Sequence, residues 1–95
     1  MQRLKTVVNQ CIKRNIYAII DLHCHFCHHR KDLAERIFRD VSKLWGTKPH
    51  VMYETFNEPK QDIDWNQLKD YHNKMIGAIR QNSKNLIICG NIHQK

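Results

Sequence analysis

Apolar residues recur along this chain with two different periods, and their alternation predicts the order of its helices and strands. Near the N-terminus the spacing is three or four residues, which is typical of an amphipathic helix. This helix is predicted to end at Lys13-Arg14-Asn15, because cations suit the negative end of a helix and asparagine can adopt the left-handed conformation. Its apolar face consists of Leu4, Val7, Val8, Cys11 and Ile12.

The helical period returns twice further along the chain. One helix is predicted to open at Asp32, three residues before Glu35, in the pattern of a capping box, and to stop at Gly46. A third helix is predicted to open with the stretch Asp64-Trp65-Asn66-Gln67. The apolar faces are Leu33, Ala34, Ile37, Phe38, Val41, Leu44 and Trp45 in the second helix, and Trp65, Leu68, Tyr71, Met75, Ile76 and Ile79 in the third.

Three apolar stretches between the helices predict strands that begin near Ile16, Val51 and Leu86, at equal intervals of 35 residues. The first, residues 16–21, is almost continuously apolar, as expected for a strand buried on both faces. A strand, a loop, a helix and a return turn repeated at this spacing form the βα unit of a parallel sheet. An open doubly wound sheet and a closed (β/α)8 barrel both produce this pattern, so the spacing alone does not separate them.

Composition and charge narrow the classes of function. The 95 residues allow one small domain with a modest core, and no apolar run approaches the roughly 18 residues of a membrane span. The net charge of +7 raises the question of a nucleic-acid partner. The basic residues are nevertheless spread over the helices with no run of five or more, and no nucleic-acid-binding signature is present. We therefore expect neither a nucleic-acid nor a membrane partner.

The stretch from Val51 to Pro59 carries the candidate chemistry. Its first residues are β-branched or aromatic and alternate, which predicts a buried strand, and Pro59 stops the strand because proline has no N–H to donate. The strand therefore delivers Asn57 and Glu58 to its carboxyl end. Ligands of parallel α/β folds bind outside the carboxyl ends of the strands.

Several blocks of the chain together resemble glycoside hydrolase family five, the family of cellulases and related β-glycanases. Members carry a Gly-Ile-Tyr-Val-Ile-Ile-Asp-Trp-His strand and, after a helix, Pro-Asn-Val-Ile-Tyr-Glu-Ile-Ala-Asn-Glu-Pro. This chain has similar stretches from Asn15 to His23 and from Pro49 to Pro59. A helix bearing Trp65, Lys69 and Tyr71 and a strand ending at Gly90 follow in the family's order.

The resemblance implies a (β/α)8 barrel, of which residues 1–95 would supply roughly the third to the fifth strand and no complete domain. A whole barrel needs about 250 residues. It also implies cleavage of a β-1,4-glucan with retention, most simply by an endoglucanase that is secreted to the extracellular space and needs no cofactor. No secretory signal is visible in the chain, and the resemblance leaves its oligomeric state and its exact polysaccharide open.

By the same resemblance, Glu58 matches the general acid/base, and Asn57 matches the asparagine that binds the sugar 2-hydroxyl. His23 matches a histidine that contacts substrate, whereas Glu54 is expected to be structural. A retaining mechanism needs a second carboxylate about 5–5.5 Å away as nucleophile. In the family that residue comes from the seventh strand, which would lie beyond Lys95, so the isolated chain is expected to be inactive.

Three parts of the chain depart from the family. Leu22 stands where tryptophan is usual, and residues 90–94 lack the tryptophan that follows the fifth strand. The loop after His23 contains Cys-x-x-Cys-His, from Cys24 to His28, which leaves a haem attachment or a zinc site of Cys24, Cys27 and His28 as alternatives. Nothing in the chain supports the axial partner or export route that haem attachment needs, and no second metal-binding pair supports zinc. A divergent loop of the substrate cleft is favoured over a non-catalytic, metal-binding remnant.

Overall fold

The computed structural model describes residues 2–23, 27–57, 59 and 63–91, in which helices and strands alternate as predicted. A short 3₁₀ turn, Cys27–His29, precedes the second helix. No helix in these ranges is long and apolar enough to cross a membrane. The helices and strands, in chain order, are α1 (Gln2–Lys13), β1 (Ala18–Asp21), α2 (Lys31–Trp45), β2 (Val51–Glu54), α3 (Trp65–Arg80) and β3 (Ile87–Ile88).

The three strands form one parallel sheet in the order β1-β2-β3. Ala18 pairs with Val51, and Tyr53 in turn pairs with Ile87, so each strand lies beside the next along the chain. Helices α2 and α3 connect the strands, as parallel pairing requires. The βα repeat predicted from the 35-residue spacing is therefore confirmed.

One face of this sheet packs against the helices and builds the core. Ile20, Val51 and Tyr53 point to this face, because side chains of a strand alternate and paired residues of neighbouring strands share a side. Burying the apolar stripes of the helices here supplies the main driving force for folding. The buried helix residues of this core are Val8 of α1, Ala34, Phe38, Val41 and Trp45 of α2, and Leu68, Tyr71, Met75 and Ile79 of α3.

The opposite sheet face, which we call the open face, consists of Ile19, Asp21, Met52, Glu54 and Ile88. None of these five side chains is fully buried, and Ile19 is 53% exposed. The prediction that residues 16–21 are buried on both sides is therefore wrong for the described part of the chain. The reason is that the buried residues of the three helices pack on the side of Ile20, Val51 and Tyr53.

The helix ends show which local signals determine them. Asn15 adopts the left-handed conformation predicted for it, with φ of 60°. The Asp64 carboxylate accepts a hydrogen bond from the Gln67 amide, and the Gln67 side chain accepts one in return from the Asp64 amide. The capping box predicted at Asp32 is wrong, because α2 already begins after Arg30 and Asp32 instead pairs with Lys74 at 2.9 Å.

Candidate active site

Parallel strands end at the same edge of a sheet, and here that edge gathers polar groups from three segments. His23 follows β1, Thr55 and Asn57 follow β2, and Gly90 and Asn91 follow β3. This is the edge at which parallel α/β folds bind ligands. The structure therefore brings together residues that are 34 positions apart in the sequence, such as His23 and Asn57.

Asn57 and His23, the two substrate-binding residues predicted from the sequence, contact each other directly. The Asn57 amide nitrogen lies 2.8 Å from His23 Nδ1 and donates to it. His23 Nδ1 is then the acceptor, so a neutral ring carries its proton on Nε2. The Asp21 carboxylate is 3.9 Å from the same nitrogen, and the His23 side chain is 71% exposed. Asn57 and His23 thus form a polar pair beyond the carboxyl ends of β1 and β2, with His23 exposed to solvent.

Glu58, the predicted acid/base, lies outside the described residues, as does Cys24 of the alternative zinc site. Glu54 is half-buried on the open face. The described part of this strand end therefore stops at Asn57, which directly precedes Glu58 in the sequence.

The segment before Asn57 is fixed by aromatic packing. Phe56 is fully buried, with its ring 5.1 Å from that of Tyr71 in an edge-on arrangement and 6.0 Å from the stacked ring of His28. The Tyr71 hydroxyl donates to the Thr55 carbonyl at 2.5 Å. Both contacts hold the backbone that enters Asn57, which favours a preorganised site.

His72 of α3 makes a second connection to this segment that the sequence did not predict. Its Nδ1 lies 2.8 Å from the Thr55 hydroxyl and its Nε2 lies 2.8 Å from the Gly90 carbonyl. Burial lowers the pKa of His72, because the charged imidazolium would lose its hydration. One signal was available: His72 lies four residues after Leu68 and three before Met75, so the helical period places it on the buried face.

Leu22 and the loop after His23, two of the places where the sequence departs from the family, have different outcomes. Leu22, in the position where tryptophan is usual, is half-buried and packs against the apolar core. Cys27 is fully buried within that core, next to the buried His28. Among the described residues, no three His, Cys, Asp or Glu side chains are grouped so that they could hold a metal. Because Cys24 is not described, the zinc alternative stays a prediction.

Comparison with known proteins identifies the family. The sequence model described as cellulase, glycosyl hydrolase family 5, matches residues 1–94. Endoglucanase Z of Dickeya dadantii is 39% identical over 90 residues, and an endoglucanase of Clostridium saccharobutylicum is 34% identical over 94 residues. These alignments cover 93% and 94% of the chain but 21% of each relative, so the chain spans about a fifth of their length.

Solved structures agree with the sequence comparison. The catalytic domain of Thermobifida fusca endoglucanase Cel5A superposes with a TM-score of 0.90 at 28% identity, over 97% of this chain and 31% of that domain. A variant of the same endoglucanase was solved in complex with cellotetraose. The three parallel βα units are thus part of a (β/α)8 barrel, which resolves the choice that the strand spacing left open. The chain belongs to the cellulase family, glycosyl hydrolase family 5.

Proposed function

We propose that the full-length gene product containing this chain hydrolyses β-1,4-glucan as a retaining endoglucanase, with Glu58 as its general acid/base. The observation that carries the proposal is the contact of Asn57 with His23 at the carboxyl end of β2. Both residues match family positions that face the sugar, and they converge on one point although they are 34 residues apart. Relatives named as endoglucanases, one of them bound to cellotetraose, support the choice of substrate.

In the proposed mechanism Glu58 acts twice. Its protonated carboxyl donates a proton to the glycosidic oxygen while a second carboxylate attacks the anomeric carbon, so that the leaving sugar departs and a glycosyl-enzyme ester forms. The Glu58 carboxylate then removes a proton from water as the water attacks the same carbon. The bond from this carbon to the ester oxygen breaks, which frees the sugar and regenerates the second carboxylate. Two inversions give net retention of the anomeric configuration.

Asn57 supports both steps through the sugar 2-hydroxyl. A hydrogen bond to this hydroxyl strengthens as the ring approaches an oxocarbenium ion, and it therefore lowers the barrier rather than only tightening binding. His23 fixes the orientation of the Asn57 amide by accepting its N–H at 2.8 Å. The side-chain amide of Asn57 has a second N–H and a carbonyl oxygen, and we propose that these bind the substrate.

The 95-residue chain by itself is proposed to be inactive. The mechanism needs a nucleophilic carboxylate about 5–5.5 Å from the acid/base, and in the family this group comes from a strand that follows these three. We further propose an extracellular location, because a glucan polymer is cleaved outside the cell before its sugars are taken up.

The stereochemistry of the first product tests the proposal. Proton NMR of cellotetraose hydrolysis by the full-length gene product should show the β-anomer first, followed by slow mutarotation. The variant Glu58→Gln should lose this activity but still accept an activated aryl β-cellobioside, whose leaving group needs no proton. Added azide should then accelerate its turnover and give the β-glycosyl azide. An α-anomer as the first product, or no hydrolysis by the wild-type protein, would contradict the proposal.

A further inference from the structure

We propose that His72 is a positioning residue of the site, which joins the ends of β2 and β3 and thereby holds Asn57 in place for the sugar. This inference rests on the proposed function, since it assigns to His72 an effect on the residue that would bind the substrate 2-hydroxyl. His72 itself is buried on α3 and is not proposed to touch the substrate.

The two hydrogen bonds of His72 define what we call the His72 clamp, formed by Thr55, His72 and Gly90. Gly90 offers a carbonyl, which only accepts, so Nε2 must carry a proton and donate to it at 2.8 Å. Nδ1 then accepts from the Thr55 hydroxyl, also at 2.8 Å. The neutral imidazole with its proton on Nε2 satisfies both partners at once, and neither partner lies on the helix that carries His72.

The clamp acts on Asn57 through the backbone of residues 55 and 56. Thr55 is two residues before Asn57, and its carbonyl is held separately by the Tyr71 hydroxyl. On the other side, a side chain added at Gly90 would place its Cβ only 2.5 Å from the Phe56 carbonyl oxygen. Gly90 is therefore in direct contact with the segment that carries Asn57. Fixing Gly90 and Thr55 by one imidazole holds this segment from both sides.

The surroundings of His72 keep the clamp in its neutral form. The groups placed against it are the Thr55 hydroxyl from β2, the Gly90 carbonyl after β3 and the Tyr71 ring of its own helix, at 5.6 Å between ring centroids. The Cys89 thiol lies 4.0 Å from the Thr55 hydroxyl. Burial lowers the pKa of His72 and so favours the neutral imidazole, which is the form that both hydrogen bonds require.

Four variants of the full-length gene product separate positioning from mere packing. His72→Phe keeps an aromatic ring but removes both hydrogen bonds. His72→Asn keeps an acceptor near the position of Nδ1, and His72→Gln keeps a donor near the position of Nε2. Thr55→Val removes the partner hydroxyl with little change in shape. The control is Ile79→Val, which removes one methyl group from the core on the same helix, seven residues after His72.

We expect His72→Phe and Thr55→Val to lower kcat on cellotetraose by roughly 10- to 100-fold with little change in KM. The reason is that a displaced Asn57 would stabilise the transition state less, with a smaller effect on substrate binding. His72→Asn and His72→Gln should each recover part of this loss. Ile79→Val should lower Tm and leave kcat unchanged. If the His72 variants have a lower Tm but the kcat of the wild-type protein, the proposal is overturned.

NMR keeps this test independent of the proposed function. The ¹⁵N shifts of His72 should show a protonated Nε2 and an unprotonated Nδ1, and His72→Phe should move the side-chain amide resonances of Asn57 while Ile79→Val leaves them in place. If the wild-type protein does not hydrolyse cellotetraose, the endoglucanase proposal fails, and these resonances still decide whether the clamp positions Asn57. Unchanged Asn57 resonances in His72→Phe, or a protonated Nδ1 in the wild type, would overturn the clamp.

Discussion

At the scale of single residues, the Asn57 side chain has its orientation determined by the proton on His23. The Asn57 amide nitrogen can only donate, so His23 Nδ1 accepts from it and the ring carries its proton on Nε2. The Asp21 carboxylate lies 3.9 Å from the same ring nitrogen. The tautomer of His23 therefore decides which end of the Asn57 amide faces the ring.

Two glycines give a matched pair of predictions about packing near the site. A Cβ at Gly90 would meet the Phe56 carbonyl oxygen at 2.5 Å and the Pro59 ring at 3.2 Å, whereas a Cβ at Gly77 would meet nothing within 4 Å. We expect Gly90→Ala to destabilise the full-length gene product by about 1–3 kcal/mol. Gly77→Ala should stabilise it by about 0.5–1 kcal/mol, since alanine is preferred inside a helix. Urea denaturation measures both, and equal effects would show that the close contact of Gly90 is not maintained in solution.

His72 also predicts how stability depends on pH. Burial lowers its pKa below the ordinary 6.5, so between the lowered pKa and 6.5 the unfolded chain binds a proton that the folded chain does not. The stability contributed by neutral His72 is thus complete above about pH 6.5 and is lost as the pH falls through this window.

Urea denaturation at several pH values between about 7.5 and 4.5 tests this dependence. His72→Gln should show a shallower loss of stability on acidification than the wild type. Ile79→Val, as the control, should lower stability by a similar amount at every pH. The same slope in His72→Gln and the wild type would contradict the assignment.

At the scale of helices, two aspartates with similar surroundings in the sequence are predicted to differ in their contribution. Asp64 accepts the Gln67 amide at 2.8 Å and caps α3, whereas Asp32 lies inside the first turn of α2 and pairs with Lys74 on the surface. Asp64→Ala should therefore cost about 1 kcal/mol of stability, and Asp32→Ala clearly less. Thermal denaturation of both variants decides this. A larger effect at Asp32 would mean that α2 begins with a cap in solution.

Most elements could be predicted from the sequence because their signals are local. Leu68, Tyr71, Met75 and Ile79 of α3 are buried as the helical period predicts, and the 35-residue interval correctly indicates parallel βα units. The beginning of α2 could not be predicted, because the preceding 3₁₀ turn, Cys27–His29, leads directly into the helix at Arg30. The exposure of Val7, Leu33, Leu44 and Trp65 was also missed, because the apolar period does not show how wide a stripe of each helix is buried.

The candidate site could be predicted only where a motif marks it. Asn57 and His23 stand at strand ends in recognisable blocks, and the structure places their side chains 2.8 Å apart. The His72 clamp could not be predicted, because its partners, Thr55 and Gly90, are 17 and 18 residues away on other segments and belong to no motif. Contacts of this kind depend on how α3 docks on the sheet, which residue patterns along one chain do not specify.

At the scale of the whole molecule, the described residues form two layers, with helices on one side of the sheet and the open face on the other. In a closed (β/α)8 barrel, such a face points to the interior and is covered by side chains from the other strands. Edge strands and an uncovered apolar face favour association between chains. We therefore expect the 95-residue chain on its own to self-associate and to bind a dye that detects exposed apolar surface.

A pair of lysine substitutions tests whether the open face causes this association. Ile19, on the open face, and Leu44, on α2, are both large apolar residues about half exposed, at 53% and 45%. Ile19→Lys should increase the monomer fraction of the isolated chain in sedimentation velocity, and Leu44→Lys should change it little. If Leu44→Lys is the more effective substitution, the chains associate through the helices instead.

The measurement that tests the central claim most directly is the initial rate of cellotetraose hydrolysis by the full-length gene product and two glutamine variants. Glu58→Gln should lower kcat by about 10²–10⁴-fold, the range that a general acid/base contributes. Glu35→Gln, the same chemical change on α2 where Glu35 pairs with Arg39 at 3.6 Å, should leave the rate unchanged. A Glu58→Gln variant that hydrolyses cellotetraose at the wild-type rate would contradict the assignment of the carboxyl end of β2 as the acid/base side of a glycosidase.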